Sequence, residues 1–203
     1  KRLIILGFAL ASFNAQSQSI LNGSFESTNA STSCNYNISN ATYNSAMNNS
    51  TAFGLYQQTD IVVSVVHPSI PDGQFSVGIA NNPSNNLEGE AISLELSAPL
   101  VIGNAYEISF RAYANTDFGP QGDLVIGVST ANNSLGTVID TANTVIGTWT
   151  SFTVNFMAID NSTFITVAPV QGISSWNFVD DFSITEVCTA TSSTETITSC
   201  GAF

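Results

Sequence analysis

Between Ala105 and Ala114 every second side chain belongs to one class, with Tyr106, Ile108, Phe110 and Ala112 on one side and Glu107, Ser109, Arg111 and Tyr113 on the other. A period of two is the signature of a strand with one face buried, and no helix can accommodate it. The pattern recurs. Gln74 to Ala80 brings Phe75, Val77 and Ile79 into phase, Glu90 to Leu96 does so with Ile92, Leu94 and Leu96, and Trp149 to Ala158 with Phe152, Val154 and Phe156. Ile61 to Val66, Asp123 to Thr130, Leu135 to Asp140 and Thr163 to Ala168 supply further strands. Turn residues separate them: Pro71 Asp72 Gly73, the run Asn81 to Asn86, Pro99, Gly103 Asn104, and a polar loop from Asp117 to Gly122 centred on Phe118. Short strands punctuated in this way predict an all-β sandwich rather than alternating strands and helices. Ile20 to Glu26 reads as a first strand with a bend, and the Asn-, Ser- and Thr-rich stretch from Ser27 to Ser50 as a long surface segment.

The stretch from Trp176 to Thr185 concentrates the most informative residues. Continued as a regular strand, it sets Phe178, Asp180, Phe182 and Ile184 on one side, three core residues around a carboxylate. A buried carboxylate costs several kcal/mol unless a cation or several donors meet it. Basic residues are scarce: Lys1, Arg2 and Arg111 are the only three. Asp180 therefore requires a metal ion, backbone amides or Arg111 as partner, while Asp181 points to the other face and is solvated.

Lys1 Arg2, the apolar run from Leu3 to Phe13 and the small-residue site Ala15 Gln16 Ser17 have the order of a secretory signal peptide, with cleavage expected after Ser17. The apolar run is shorter than the roughly 20 residues that span a bilayer. Export as a soluble protein, without membrane insertion, is the expectation. The net charge of −12 becomes −14 once Arg111 alone faces the 15 acidic residues. Such a surface repels phosphate backbones and anionic membranes and leaves neutral ligands such as glycans, or cations, as partners. Cys34, Cys188 and Cys200 allow at most one bridge within the chain and fit no zinc spacing. The organisation expected is a signal peptide at 1–17, one domain at 18–187, and a linker or the truncated start of a following repeat at 188–203.

Four pieces in order carry a resemblance: Leu21 to Glu26; Pro99 Leu100 with Gly103 to Phe110; Gly147 to Phe156; and Phe178 to Ile184. Together they resemble a secreted carbohydrate-binding module of the galactose-binding-like jelly-roll type, as found in modular bacterial surface or secreted proteins. The resemblance implies a jelly-roll β-sandwich of two antiparallel sheets whose first and last strands adjoin, in an extracellular or cell-surface protein with further domains. It also implies a structural calcium ion held by Glu26 and Asp180, with backbone carbonyls completing a shell of about six to eight oxygens. Carbohydrate is the implied partner, held by aromatic rings stacked on sugar faces. Trp176, Tyr113 with Arg111, Phe118, and Tyr36 or Tyr43 are the candidates; Trp149, which opens its strand, reads as a core plug, and Arg111 also reads as half of a cross-strand ion pair with Glu107 in reach.

Catalytic signals are absent from the sequence. His67 stands alone before Pro68, no nucleophile elbow, metal-protease or phosphate-loop motif occurs, and Glu88 with Glu90 shows no acid and base distinction. A non-catalytic binder is expected, with a spacer or adhesion domain as the alternative; a cluster of exposed aromatics on one face would favour binding.

Overall fold

The computed structural model describes residues 18–64, 70–82, 89–115 and 122–187. The signal-like leader, His67, Glu88, Phe118, Cys188, Cys200 and the tail from Cys188 lie outside the described residues.

The described chain forms β1 (Asn35–Ser39), α1 (Asn40–Ala46), β2 (Ser50–Ala52), β3 (Gln58–Val63), β4 (Phe75–Asn81), β5 (Ile92–Glu95), β6 (Ala105–Ala114), β7 (Leu124–Ser129), β8 (Thr137–Ala142), β9 (Thr150–Met157), β10 (Phe164–Pro169) and β11 (Ser175–Val187). Six strands make one sheet in the order β1-β3-β4-β11-β6-β9, and five make the other in the order β2-β5-β10-β7-β8. All pairings between these strands are antiparallel. This is a jelly-roll β-sandwich. The alternation drives it: Tyr106, Ile108, Phe110 and Ala112 of β6, with Val77 and Ile79 of β4, meet Ile92 and Leu94 of β5 and Ile165 and Val167 of β10 in one core.

The pairing closes the two ends of the domain together, as the resemblance implies, without a regular first strand. Leu21 to Glu26 turns rather than runs straight. Ile20 makes a single bridge to Leu96, the Phe182 amide donates to the Gly23 carbonyl at 3.0 Å, and the Phe25 ring meets Phe182 edge-on at 6.2 Å. Asn22 and Gly23 break the extension, and Phe25 takes a left-handed φ of 58° to turn its ring into the core. The expected surface segment from Ser27 to Ser50 instead carries β1, α1 and the first residue of β2. Ser39 caps α1 by accepting from the Thr42 amide at 3.1 Å, and Tyr43 anchors the helix in the core.

The largest departure from simple alternation lies in β11. Its register against β6 slips between Asp180 and Ser183, and Asp181 adopts a left-handed φ of 56°. One extra residue reverses the phase of everything after it. Phe178 and Asp180 therefore lie on the outer face of the six-stranded sheet, opposite Tyr113 and Arg111, while Phe182 and Ile184 enter the core. The expectation that these four share a side is corrected. Phe182 fills the space between Phe25 and Phe110, stacking on Phe110 at 4.9 Å.

The seam at Gly23 is testable. A methyl at Gly23 would run into the carbonyl of Phe182, and Gly23→Ala should cost about 3 kcal/mol in urea unfolding. Gly147 has a φ of 71° but nothing within 4 Å of an added methyl, so Gly147→Ala should cost only about 1 kcal/mol. Equal losses at the two positions would refute close backbone approach as the reason for Gly23.

Candidate functional site

Reversal at Asp181 leaves the first half of β11 to furnish the outer face. Trp176 and Phe178 project there, and the sheet order brings neighbours from four other segments against them. Rings follow one another across the strands. Tyr36 of β1 meets Trp176 at 5.7 Å with planes at 72°, Trp176 meets Phe178 at 5.0 Å, Phe178 stacks on Tyr113 at 5.6 Å, and Tyr113 meets Trp149 at 5.7 Å. Trp149 is therefore no core plug: it packs half-buried at the edge of this outer cluster, beside Tyr113. Phe178 and Tyr113 are buried in the middle of the row and act as its backing, whereas Tyr36 is 39% exposed.

At the Tyr36 end the row borders a cavity of about 240 Å³ lined by Tyr36, Asn37, Asp60, Ala80 and Trp176. Asp60 of β3 organises it. One carboxylate oxygen accepts from the Asn37 amide at 2.6 Å, the other from the Trp176 indole Nε1 at 2.8 Å. Asn37 presents its amide through a left-handed φ of 52°, at an irregularity in the β1 register. Gly78 lies between Asp60 and Phe178 in the pairing, and a Cβ there would come within 3.0 Å of the indole nitrogen. The absent side chain gives Trp176 room to reach Asp60. Behind Ala80 lies Glu90, 1% exposed, whose Oε2 accepts from the Ala80 amide at 2.8 Å.

Of the sequence candidates, Trp176, Tyr113 and Arg111 share this face, and Tyr36 rather than Tyr43 joins them. Tyr43 is wholly buried, its hydroxyl 2.8 Å from Ser50 Oγ. Arg111 stands opposite Asp180 in the register but makes no ion pair among the described residues, and its buried Nε has no partner there. The cross-strand ion pair expected of it does not form. Asp60, Glu90 and Gly78 were not singled out as ligand residues, because nothing local marks them: they acquire meaning only through pairings with residues far along the chain.

Glu26 and Asp180, expected to share a metal, do converge on one turn. Glu26 Oε1 accepts from the Gln74 and Phe75 amides at 2.8 and 2.7 Å, while Asp180 accepts from the Asp72 amide at 3.1 Å and the Asp181 amide at 2.7 Å. Amides thus meet both carboxylates, and Glu26 Oε2 remains unengaged among the described residues. Asp180 is 0% exposed with Asp72 and Asp181 nearby, and burial pushes its carboxyl up to about 8. Calcium takes about six to eight hard oxygen ligands, and the two carboxylates alone fall short of that number. Among the described residues no three His, Cys, Asp or Glu side chains stand together as a metal group, so carbonyls would have to supply the balance.

No protein-family model matches this chain, and no curated protein matches it in sequence. Solved structures resemble it in fold. An arabinose-bound α-L-arabinofuranosidase aligns with a TM-score of 0.50 at 15% identity over 84% of this chain and 26% of its own length. The CBM22 xylan-binding domain from Paenibacillus barcinonensis aligns with 0.47 at 16% identity, over 70% of this chain and 87% of that one. A C-terminal CBM6 domain of a laminarinase from Zobellia galactanivorans aligns with 0.42 at 17% identity, over 68% and 99%. At such identities the likeness is one of fold. Among the described residues no helix is long and apolar enough to cross a membrane.

Three buried acids give the domain an unusual pH response. Burial pushes Asp60 up to about 6, partly offset by its two hydrogen bonds; Glu90 rises to about 9 through burial and the charge of Asp60; Asp180 rises to about 8. Each holds its proton more tightly folded than unfolded, where the ordinary values are 3.8 for Asp and 4.5 for Glu. Their contribution favours folding below those values and is lost as pH rises through about 6, 8 and 9. Metal-free protein should therefore show a Tm that falls between about pH 5 and about pH 9. Glu90→Gln, which keeps an acceptor for the Ala80 amide, should flatten the alkaline end. A Tm that climbs across this range would contradict the assignment.

Proposed function

We propose that this chain is a non-catalytic carbohydrate-binding module, exported to hold a larger extracellular or cell-surface protein against a polysaccharide or surface glycan. The observation that supports it is the corner made by Tyr36 and Trp176 above Asp60 and Asn37. Sugars are recognised by apolar ring faces laid on aromatic side chains and by hydroxyls bonded to carboxylates and amides, and this corner offers both within one cavity. At about 240 Å³ it falls below the roughly 300–1,000 Å³ of pockets that enclose drug-sized ligands. It suits a single ring of a longer chain whose remainder lies in solvent. Rigid backing by Phe178 and Tyr113 orients the Trp176 ring before any ligand arrives, which lowers the ordering cost of binding. The spacer alternative finds less support, because a smooth Ser- and Thr-covered face would serve it, whereas here an exposed Tyr36 and the half-buried Trp176 and Trp149 reach the surface.

Retention of the full chain on immobilised polysaccharides tests this reading. Binding to at least one glycan is expected, weakened about tenfold or more by Trp176→Ala and by Tyr36→Ala, the latter at an exposed ring whose loss leaves the core intact. No retention on any polysaccharide would overturn the proposal and favour the spacer.

A structural calcium ion at Glu26 and Asp180 belongs to the same reading. Its charge would add to the two amides that meet the buried Asp180 carboxylate and tie the N-terminal segment, the turn at Asp72 to Phe75 and β11 into one unit. Calcium at about a hundred times its Kd should stabilise the fold by about 2.7 kcal/mol, seen as a Tm rise of several degrees. Chelator should reverse the rise and Glu26→Gln should abolish it. A Tm indifferent to calcium and chelator alike would remove the ion from the account.

A further inference from the structure

The chemistry of the Tyr36 corner is selective beyond a general affinity for sugars. Two ring planes at 72° form adjacent walls, and a carboxylate closes a third side. Asp60 is nearly inaccessible, and each of its oxygens spends one acceptor site on the protein, so each can accept again from a ligand. Behind it Glu90 adds a second buried acid whose protonation responds to Asp60. Arg111 is the one Lys or Arg among the described residues, and it is not among the groups acting on either acid. The corner is thus an aromatic angle with the Asp60 carboxylate beneath it and no cation among the described residues to answer that charge. Ring faces carry negative quadrupole potential and attract cations, best when the site is partly desolvated and a carboxylate lies close by.

We infer that this corner takes a positively charged group, and that the glycan bound there is an amino-sugar polymer whose ammonium sits in the open angle beside the Tyr36 and Trp176 rings, on the side of the Asp60 carboxylate. The inference rests on the binding reading above and narrows it to a ligand class. A neutral hexose would satisfy the rings equally well but would leave the Asp60 carboxylate without a counter-charge. An anionic sugar would be repelled by Asp60.

Three hexamers with the same β-1,4 linkage separate the possibilities: one of glucosamine, one of N-acetylglucosamine and one of glucose. Each is titrated into the full chain at about pH 6.5, above the value of about 6 to which Asp60 is raised and low enough to keep much of the amine protonated, with Trp fluorescence and calorimetry as readouts. The glucosamine hexamer is expected to bind about tenfold tighter than either uncharged one, and the advantage should shrink in about 0.5 M salt. Tyr36→Leu removes an exposed wall and should erase the preference, and Asp60→Asn should do the same if it folds. If an uncharged hexamer binds as tightly as glucosamine, the charge inference fails while carbohydrate binding stands. If none of the hexamers binds, the charge inference fails, and if no polysaccharide retains the chain either, both fail. A glucosamine preference that survives Tyr36→Leu would mark diffuse attraction to an acidic protein and would overturn the assignment of this corner.

Discussion

One residue out of register organises this molecule. β11 lies inside the six-stranded sheet, bonded to β4 on one side and β6 on the other, so neither neighbour lets it rotate freely. With Asp181 in the left-handed region, the strand shows one set of side chains outward before the bulge and sends the other set inward after it. Phe182 completes the core between Phe25 and Phe110, which fastens the N-terminal segment down. The residues before the bulge, freed from core duty, carry the outer aromatic row. The left-handed conformation of a non-glycine residue costs of order 1 kcal/mol, small beside the burial of an aromatic ring.

The second theme is negative charge kept where little neutralises it. Asp60, Glu90 and Asp180 are all buried, and all are met by backbone amides or an indole rather than by a basic side chain. Amides satisfy geometry and soften the desolvation cost, but they carry no net charge, so all three acids retain raised proton affinity. Burial without an ion pair among the described residues is the condition under which the proposed calcium ion and the proposed charged ligand would each supply a counter-charge. It also explains how a chain with 9% charged residues can be electrostatically eventful.

Local pattern was a good guide wherever a strand kept one phase. β4, β6 and β9 fall on the segments that alternation marked, because the inward residues of each have one core to meet and a slip would expose all of them. It failed at Leu21 to Glu26, where a turn replaces the expected strand, and at Ser27 to Ser50, where β1 and α1 form from a polar sequence because Tyr43 and Met47 reach the core from it. Trp149 was misplaced for a related reason: a tryptophan at a strand end can face either way, and pairing with β6 sets it beside Tyr113.

The sequence alone determined that this chain is built of short strands with one face turned to a core, that its body is acidic, and that Asp180 cannot stand without a partner. Those properties follow from side-chain period and from the cost of desolvating charge, both readable within ten residues. Which aromatics gather, and that Asp60 lies beneath them, was decided by the tertiary structure. Tyr36, Asp60, Gly78 and Trp176 meet only because β1, β3, β4 and β11 lie side by side, and Trp176 faces outward while Phe182 faces inward only because a single bulge inverts the strand between them. Pairing across more than a hundred residues leaves no local trace, since each strand is satisfied equally by any neighbour that fits its hydrogen bonds.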